Sequence, residues 1–509
     1  MTSPSASLRA KGVHSISALF QIKYEYQNQI IKSLYNLNTV RSSLTFSYQA
    51  AAYNCLQNNE GEAVMNAIKI FDKKLSSFQI ILIGFAGVII LGALLLMLPI
   101  SSRSGNVTNF RDTLFTATSA VCVTGLVVKD TASYWSYFGQ AIIIVLIQIG
   151  GLGVITVASM LSMLAGRKIS FAQRQTIQNA ISAPQVGGVV RLTRFIVITS
   201  IAIEALGAFL LMPVFVVRYG IEGIWMSVFH SISAFCNAGF DLMGTKTGKF
   251  SSLTFFSNDL YLCIVISFLI VSGGIGFLAW KDFASHKLKF SDYSMQTKVI
   301  IVTTLILILL PFFTFFMIDF SHGSLNERVS LALFQAVTPR TAGFNTADLS
   351  KMTDAGKTMM MILMLIGGSP GSTAGGMKTT TVAVLFANAI AVFGKKKNAK
   401  FFNRRIDDPV VKNASTVFFM YFSLSVLSAI AISLIEGLPI GKCLFETISA
   451  IGTVGLTLGI TPGLSAISHF ILIGLMFFGR VGGLTIIYAA FSSKDTDMMK
   501  YPAGNITVG

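Results

Sequence analysis

SAVCVTGL at residues 119–126 returns as SAFCNAGF at 233–240, as VTPRTAGF at 337–344 and as SAIGTVGL at 449–456. The glycines Gly125, Gly239, Gly343 and Gly455 stand 114, 104 and 112 residues apart, close to one fixed period. Ahead of each octapeptide lie an apolar run and then a short amphipathic stretch: Asn109–Val121, Glu222–Cys236, Leu325–Thr338 and Ile440–Gly452. These stretches are too short to span hydrocarbon about 30 Å thick, which takes about 20 helical residues. A second apolar run follows each octapeptide. It carries glycines at a similar depth: Gly150, Gly151 and Gly153; Gly273, Gly274 and Gly276; Gly367 and Gly368; Gly482 and Gly483. The repeating unit is therefore helix, half-helix, glycine-bearing turn, helix. Two full crossings and a re-entrant turn return the chain to its starting side, so all four units share one orientation.

Composition supports a membrane setting. Of 509 residues, 53% are hydrophobic and 12% charged, with a mean hydropathy of +0.69. A soluble domain carries about 25% charged residues. Ile80–Ile100, Val299–Ile318 and Ala414–Ile435 are uncharged, and Phe195–Val217 carries only Glu204. Continuous apolar runs exclude a transmembrane barrel, whose strands alternate. The expected fold is an all-α integral membrane protein of four helix–re-entrant pore loop–helix repeats around a pseudo-fourfold pore, with eight full crossings. Inverted-repeat transporters relate their halves differently, by an axis in the membrane plane.

The net charge of +17 sits unevenly. Linkers Gly166–Arg194, Lys281–Lys298 and Gly394–Lys412 hold 5, 4 and 7 Lys or Arg, against 3, 3, 4 and 1 in the alternate linkers. By the positive-inside rule the first set is cytoplasmic, and the charge orients the chain rather than binding nucleic acid. The expected domains are a polar cytoplasmic extension (1–75) and pore repeats at 76–166, 190–282, 296–398 and 413–493. A tail (494–509) follows. The extension lacks an apolar stretch of signal-peptide length, and Ile30, Ile31, Leu34 and Leu37 predict a helix over Gln27–Val40. Five cysteines without CxxC spacing and five scattered histidines support neither a disulfide framework nor a zinc site.

Non-helical backbone within a membrane survives only inside protein or along a wet cavity. Carbonyl oxygens there can replace the water around a bare cation, and glycine lets the backbone face the ion without a Cβ. The candidate filter residues are Val123, Thr124 and Gly125; Asn237, Ala238 and Gly239; Thr341, Ala342 and Gly343; and Thr453, Val454 and Gly455. No octapeptide holds an acid, so backbone oxygens select the ion. Each half-helix aims its partially negative C-terminus at the cavity. Arg340, where the other turns have Cys122, Cys236 and Gly452, is expected to point away from the axis and brace its loop. In the third repeat, GGSPGSTAGGMK (367–378) interrupts the second apolar run with five glycines and Pro370, which no helix passes normally. This stretch should lie below the filter as a mobile plug. Its residues Gly367, Gly368, Ser369, Pro370, Gly371, Ser372, Thr373, Gly375, Gly376 and Lys378 form the candidate gate, with Arg480 positioned to reach its free carbonyls. It is not a phosphate loop, because Met377 separates Gly376 from Lys378 and no strand precedes it.

At these octapeptides, the glycine-rich break and Arg480, the sequence resembles the membrane subunits of the Trk/Ktr/HKT superfamily of potassium transporters over roughly residues 76–493, most nearly the KtrB branch. The resemblance implies a homodimer with one pore per protomer and a cytoplasmic ring of nucleotide-binding, KtrA-type regulatory subunits acting on the intramembrane loop. It implies K+ bound at the filter carbonyls, and Gly125, which stands where sodium-preferring HKT branches have Ser, favours potassium. Na+ stays open as a coupling or activating ion, no organic cofactor is expected on this chain, and membrane lipid surrounds it. A secondary transporter of another small solute would need inverted repeats and an intramembrane carboxylate. The nearest candidates, Glu204 and Glu436, do not repeat. An enzyme would need a His, Asp or Glu cluster on facing helices.

Overall fold

A computed structural model describes residues 76–166, 169–181, 185–287 and 289–490. The expected extension (1–75), with its helix over Gln27–Val40, and the tail (494–509) lie outside the described residues. The first unit opens with α1 (Ser77–Met97), started by Ser76, whose hydroxyl accepts from Gln79 N–H while the Gln79 side chain accepts from Ser76 N–H. This reciprocal cap satisfies two donors the first turn leaves free. Half-helix α2 (Phe110–Val121) and the helix pair α3 (Tyr137–Leu152) and α4 (Val154–Leu164) complete it. A linker helix, α5 (Phe171–Ala180), leads to the second unit. That unit is α6 (Val189–Tyr219), half-helix α7 (Glu222–Phe235), α8 (Leu260–Gly274) and α9 (Phe277–His286). The third is α10 (Met295–Met317), half-helix α11 (Leu325–Val337), α12 (Asp354–Leu365) and α13 (Thr379–Phe393). A two-stranded hairpin pairs Lys400–Phe401 with Arg404–Arg405. The fourth unit is α14 (Asp408–Glu436), half-helix α15 (Ile440–Ile451), α16 (Ala466–Val481) and α17 (Gly483–Ala490).

The four long helices α1, α6, α10 and α14 are apolar enough to cross a membrane, yet only 22% to 39% of their most apolar stretch is buried. Leu91, Phe209, Leu310 and Phe419 face outward. Burial is concentrated instead in the half-helices, where Phe115, Phe229, Phe334 and Phe445 are fully enclosed. Apolar residues outside and polar backbone within is the pattern lipid requires. The units close on themselves. Helix α3 packs on α7, α8 on α11, α12 on α15, and α16 returns to α2, so the second helix of each unit supports the half-helix of the next.

One expectation needs correction. The sequence singled out the third unit as the only interrupted one, but every second apolar run breaks. The chain bends by 98° between α3 and α4, 97° between α8 and α9, and 92° between α16 and α17. The pivots Gly153, Gly276 and Gly482 have φ of +89°, +98° and +92°, a region closed to most side chains. Three residues earlier, Gly150, Gly273 and Gly479 do different work. A Cβ at any of them would overlap the last carbonyl of a half-helix, those of Val121, Phe235 and Ile451. The GxxG pattern thus combines a close approach with a break, and in the third unit the break widens into the loop 367–378.

Two glycines on one helix test this. Gly474 has open space where a Cβ would go, while Gly479 meets the Ile451 carbonyl. Gly479→Ala should cost about 1–3 kcal/mol through overpacking, read as a lower temperature at which the detergent-solubilised protein loses its monodisperse peak. Gly474→Ala should match or exceed wild type, because alanine is the better helix former by up to about 1 kcal/mol. Equal loss in both would show that the close approach does not matter.

Candidate functional site

The four octapeptides meet. A Cβ built on Gly125 would stand 2.5 Å from the Ala238 carbonyl oxygen and 3.1 Å from Gly239 Cα. One on Gly239 would stand 2.7 Å from the Ala342 oxygen and 3.0 Å from Gly343 Cα. One on Gly343 would overlap the Val454 oxygen and lie 3.3 Å from Gly455 Cα. One on Gly455 would overlap the Thr124 oxygen, 2.9 Å from Gly125 Cα. Each glycine is thus pressed against the next unit in chain order, and the fourth closes on the first. Two residues before each glycine, Val123, Asn237, Thr341 and Thr453 also take positive φ, between 49° and 67°. Such residues are uncommon outside glycine, and their fourfold recurrence at one position marks a backbone held by its surroundings.

What holds it was not read from the sequence. The amides of Thr124, Ala238 and Val454 donate to the carbonyls of Ser119, Ser233 and Ser449 at 2.8 Å, and Ala342 N–H to Thr338 at 3.0 Å. The hydroxyls of Ser119 and Ser449 then accept from Gly125 and Gly455 N–H at 3.0 Å. Those of Ser233 and Thr338 donate to the carbonyls of Phe240 and Phe344, at 2.8 and 2.6 Å. A hydroxyl heading three of the octapeptides, with Thr338 one place along in the fourth, was the available signal. Arg340 turns outward: its guanidinium donates to Thr304 on α10 at 3.4 Å, and its carbonyl accepts from Asn237 Nδ2 at 3.3 Å.

On one side of the ring a cavity of about 330 Å3 is lined by all four glycines together with Asp130, Asp241 and Asp348. Asp130 accepts from Ser133 and Phe250 N–H at 2.8 and 2.9 Å, and Asp241 from Met243 N–H at 2.9 Å. The Ser350 hydroxyl holds the Asp348 carboxyl below the usual carboxylate range, keeping it ionised at neutral pH. Among the described residues lining this cavity there is no Lys or Arg.

On the other side lies loop 367–378. It is pinned at its base, where Gly367 N–H donates to Met377 O at 2.7 Å and Thr379 N–H to Gly368 O at 3.0 Å. Ser369 and Thr373 N–H reach the carbonyls of Gly274 and Gly273 at 2.9 and 3.2 Å, and Gly376 N–H reaches Gly479 O at 3.1 Å. In return the Gly371 carbonyl accepts from Phe277 N–H at 2.7 Å. The Thr373 hydroxyl donates to Phe235 O at 3.0 Å and contacts Asn237 Oδ1 at 3.2 Å, so the loop lies directly under the second octapeptide. Lys378 Nζ donates to Ala374 O at 2.9 Å. Arg480 donates to the Thr373 carbonyl and also to those of Gly150 and Gly151, the last at 2.9 Å. That second pair of acceptors, in another unit, was not foreseen. Beyond the loop a further cavity of about 290 Å3 is bordered by Gly371, Lys378, Tyr421 and Arg480.

Comparison with known proteins identifies the family and the fold. A family model described as TrkH, cation transport protein, matches residues 65–500. The chain is 40% identical over 450 residues to the potassium/sodium uptake protein NtpJ of Enterococcus hirae, covering 86% of this chain and 98% of that one. It is 39% identical over 438 residues to the Ktr system potassium uptake protein B of Bacillus subtilis, covering 85% and 96%. Among solved structures, the potassium transporter TrkH from Vibrio parahaemolyticus superposes with a TM-score of 0.66 at 18% identity, over 82% of this chain and 85% of that one, and so shares the fold. A multi-pass helical membrane chain with four matched turns closed into one ring, this protein belongs to the TrkH family of cation transport proteins.

Proposed function

We propose that this protein takes up potassium across the cell membrane through the ring of Gly125, Gly239, Gly343 and Gly455, with loop 367–378 and Arg480 as its gate. The closed glycine ring is the observation that carries this. The carbonyls of Thr124, Ala238, Ala342 and Val454, each beside the next unit's glycine, would then serve the ring, as dehydrating a monovalent cation requires. The hydroxyls of Thr124 and Thr453 are buried without a partner among the described residues. Buried polar atoms left so need an explanation, and a cation at the ring supplies one. Asp130 and Asp348 of the outer cavity would raise local cation concentration, whereas burial pushes the Asp241 carboxyl up to about 7. The names of the relatives, one for potassium and sodium and one for potassium, support K+ as cargo and leave Na+ open as a coupling or activating ion. The same reading takes the basic linkers and residues 1–75 as cytoplasmic, the working unit as a homodimer, and control as coming from a KtrA-type nucleotide-binding ring.

Rubidium uptake into proteoliposomes, competed by K+, Na+ and Li+, tests the ring. In Gly125→Ser the new Cβ forces the Ala238 carbonyl aside, so preference for K+ over Na+ should fall by about tenfold, equivalent to about 1.4 kcal/mol. Unchanged competition by both ions would overturn the filter assignment. Ser449→Ala removes only the acceptor behind Gly455 N–H, worth about 1 kcal/mol, and should lower the preference less, in the same direction.

The gate is tested by flux normalised to folded protein. Deleting Ser369–Thr373 should raise it and free it from any regulatory subunit. Arg480 gives the closed loop a charge-assisted hydrogen bond worth about 1.5–3 kcal/mol, so Arg480→Ala should raise flux by at least about tenfold. A folded deletion variant with wild-type or lower flux would rule the gate out.

A further inference from the structure

An apolar cavity of about 630 Å3 touches neither side of the glycine ring. It opens on the outer surface of the third unit, between α10, α12 and α13. Its wall on α10 runs from Val302 to Pro311, ten residues of helix rising about 14 Å. Opposite stand Phe386 and Ile390 of α13, 67% and 64% exposed. One end of this groove is not apolar. Lys396 and Lys400 border it where α13 gives way to the basic linker, and neither makes an ion pair among the described residues. The hairpin fixes their place: Ala399, Phe401 and Ile406 pack against Ala387 and Ala391 of α13, which leaves Lys400 at the groove's mouth.

We propose that this groove binds one anionic phospholipid, its acyl chain lying along α10 and α13 and its phosphate held between Lys396 and Lys400. An apolar channel in the bilayer with two unpaired ammonium groups at its interfacial end matches both parts of such a molecule, since basic residues beside a membrane attract anionic headgroups. A second copy of this chain fits worse. The linker 394–412 carries seven Lys or Arg against two Asp, and a copy seated symmetrically here would bring that charge against itself, where like charges repel. Ile366, the residue before the loop, lines the same groove, so the bound chain packs against the segment proposed above as the gate. That consequence rests on the gate reading, whereas the binding does not.

Native mass spectrometry of the full-length protein, titrated with dioleoyl-phosphatidylglycerol and dioleoyl-phosphatidylcholine, tests it. The wild type should retain phosphatidylglycerol preferentially. Lys396→Gln with Lys400→Gln should weaken phosphatidylglycerol about fivefold per lysine and leave phosphatidylcholine unchanged. Ala383→Phe, which fills the groove, should weaken both lipids. Equal retention of the two lipids by wild type, or an undiminished preference in the lysine variant, would overturn the site. So would efficient disulfide dimerisation of Ile390→Cys in a Cys55→Ser background, which would show a second copy covering this face. Because every readout is binding or cross-linking, a failure here is distinct from a failure of the gate, which is read by flux.

Discussion

Backbone broken inside a membrane must find partners for the carbonyls it frees, and this fold is organised around that demand. A helix end leaves its last carbonyls without intrahelical donors, and lipid offers none. Three second helices end at Gly153, Gly276 and Gly482 at corresponding depth, so carbonyls from three units turn toward one small region. The third unit's break and Arg480 supply the donors. Loop 367–378 sends Ser369 and Thr373 N–H to the second unit and Gly376 N–H to the fourth, while Arg480 serves the first. The loop thus complements the breaks of the second and fourth units, and a continuous helix in its place would take the Ser369, Thr373 and Gly376 donors away from them.

The same constraint explains why repetition at the level of backbone coexists with asymmetry at the level of side chains. Arg480 occupies the place of Gly151 and Gly274, one residue after the GxxG glycine. A side chain at Gly151 would strike Cys236, whose Sγ lies 2.6 Å from the position a Cβ would take, so that place is closed in the first unit. In the fourth, the same place gives access to carbonyls of two other units. One guanidinium, with five donors in a rigid plane, accomplishes there what would otherwise require a second loop.

Fold and ring were legible because they repeat: four octapeptides at a near-constant period define the turns, and Asn109–Val121, Glu222–Cys236, Leu325–Thr338 and Ile440–Gly452 differ from the observed half-helices by one residue or none at each end. The helix breaks were not legible. A glycine in an apolar helix signals close packing and interruption alike, and only geometry assigns Gly150 to the first and Gly153 to the second. Only the third break carried a proline and enough glycine to be seen. The hydroxyls of Ser119, Ser233 and Ser449 were in plain view at the head of three octapeptides, but their function depends on a left-handed residue four positions later, which a string of letters does not display. The reach of Arg480 to Gly150 crosses 330 residues, and no local rule connects them.

The bonding pattern also says where movement of the loop would be resisted. Withdrawing it takes Thr373 O from Arg480, but that guanidinium keeps Gly150 and Gly151. The second unit has no such reserve. Once Ser369 and Thr373 leave, the carbonyls of Gly274 and Gly273 lose these loop donors, and each buried polar group left so costs about 1–3 kcal/mol. Only water can replace those donors, and water reaches that depth only through the cavities on either side of the ring and loop. Under the proposed gating, withdrawal of the loop and entry of water would therefore be one event, and the resistance at Gly273 and Gly274 would add to that of the arginine. In that reading the charged residue would hold the loop through the Thr373 carbonyl, while the uncharged carbonyls of the second unit would decide what must enter before it can leave.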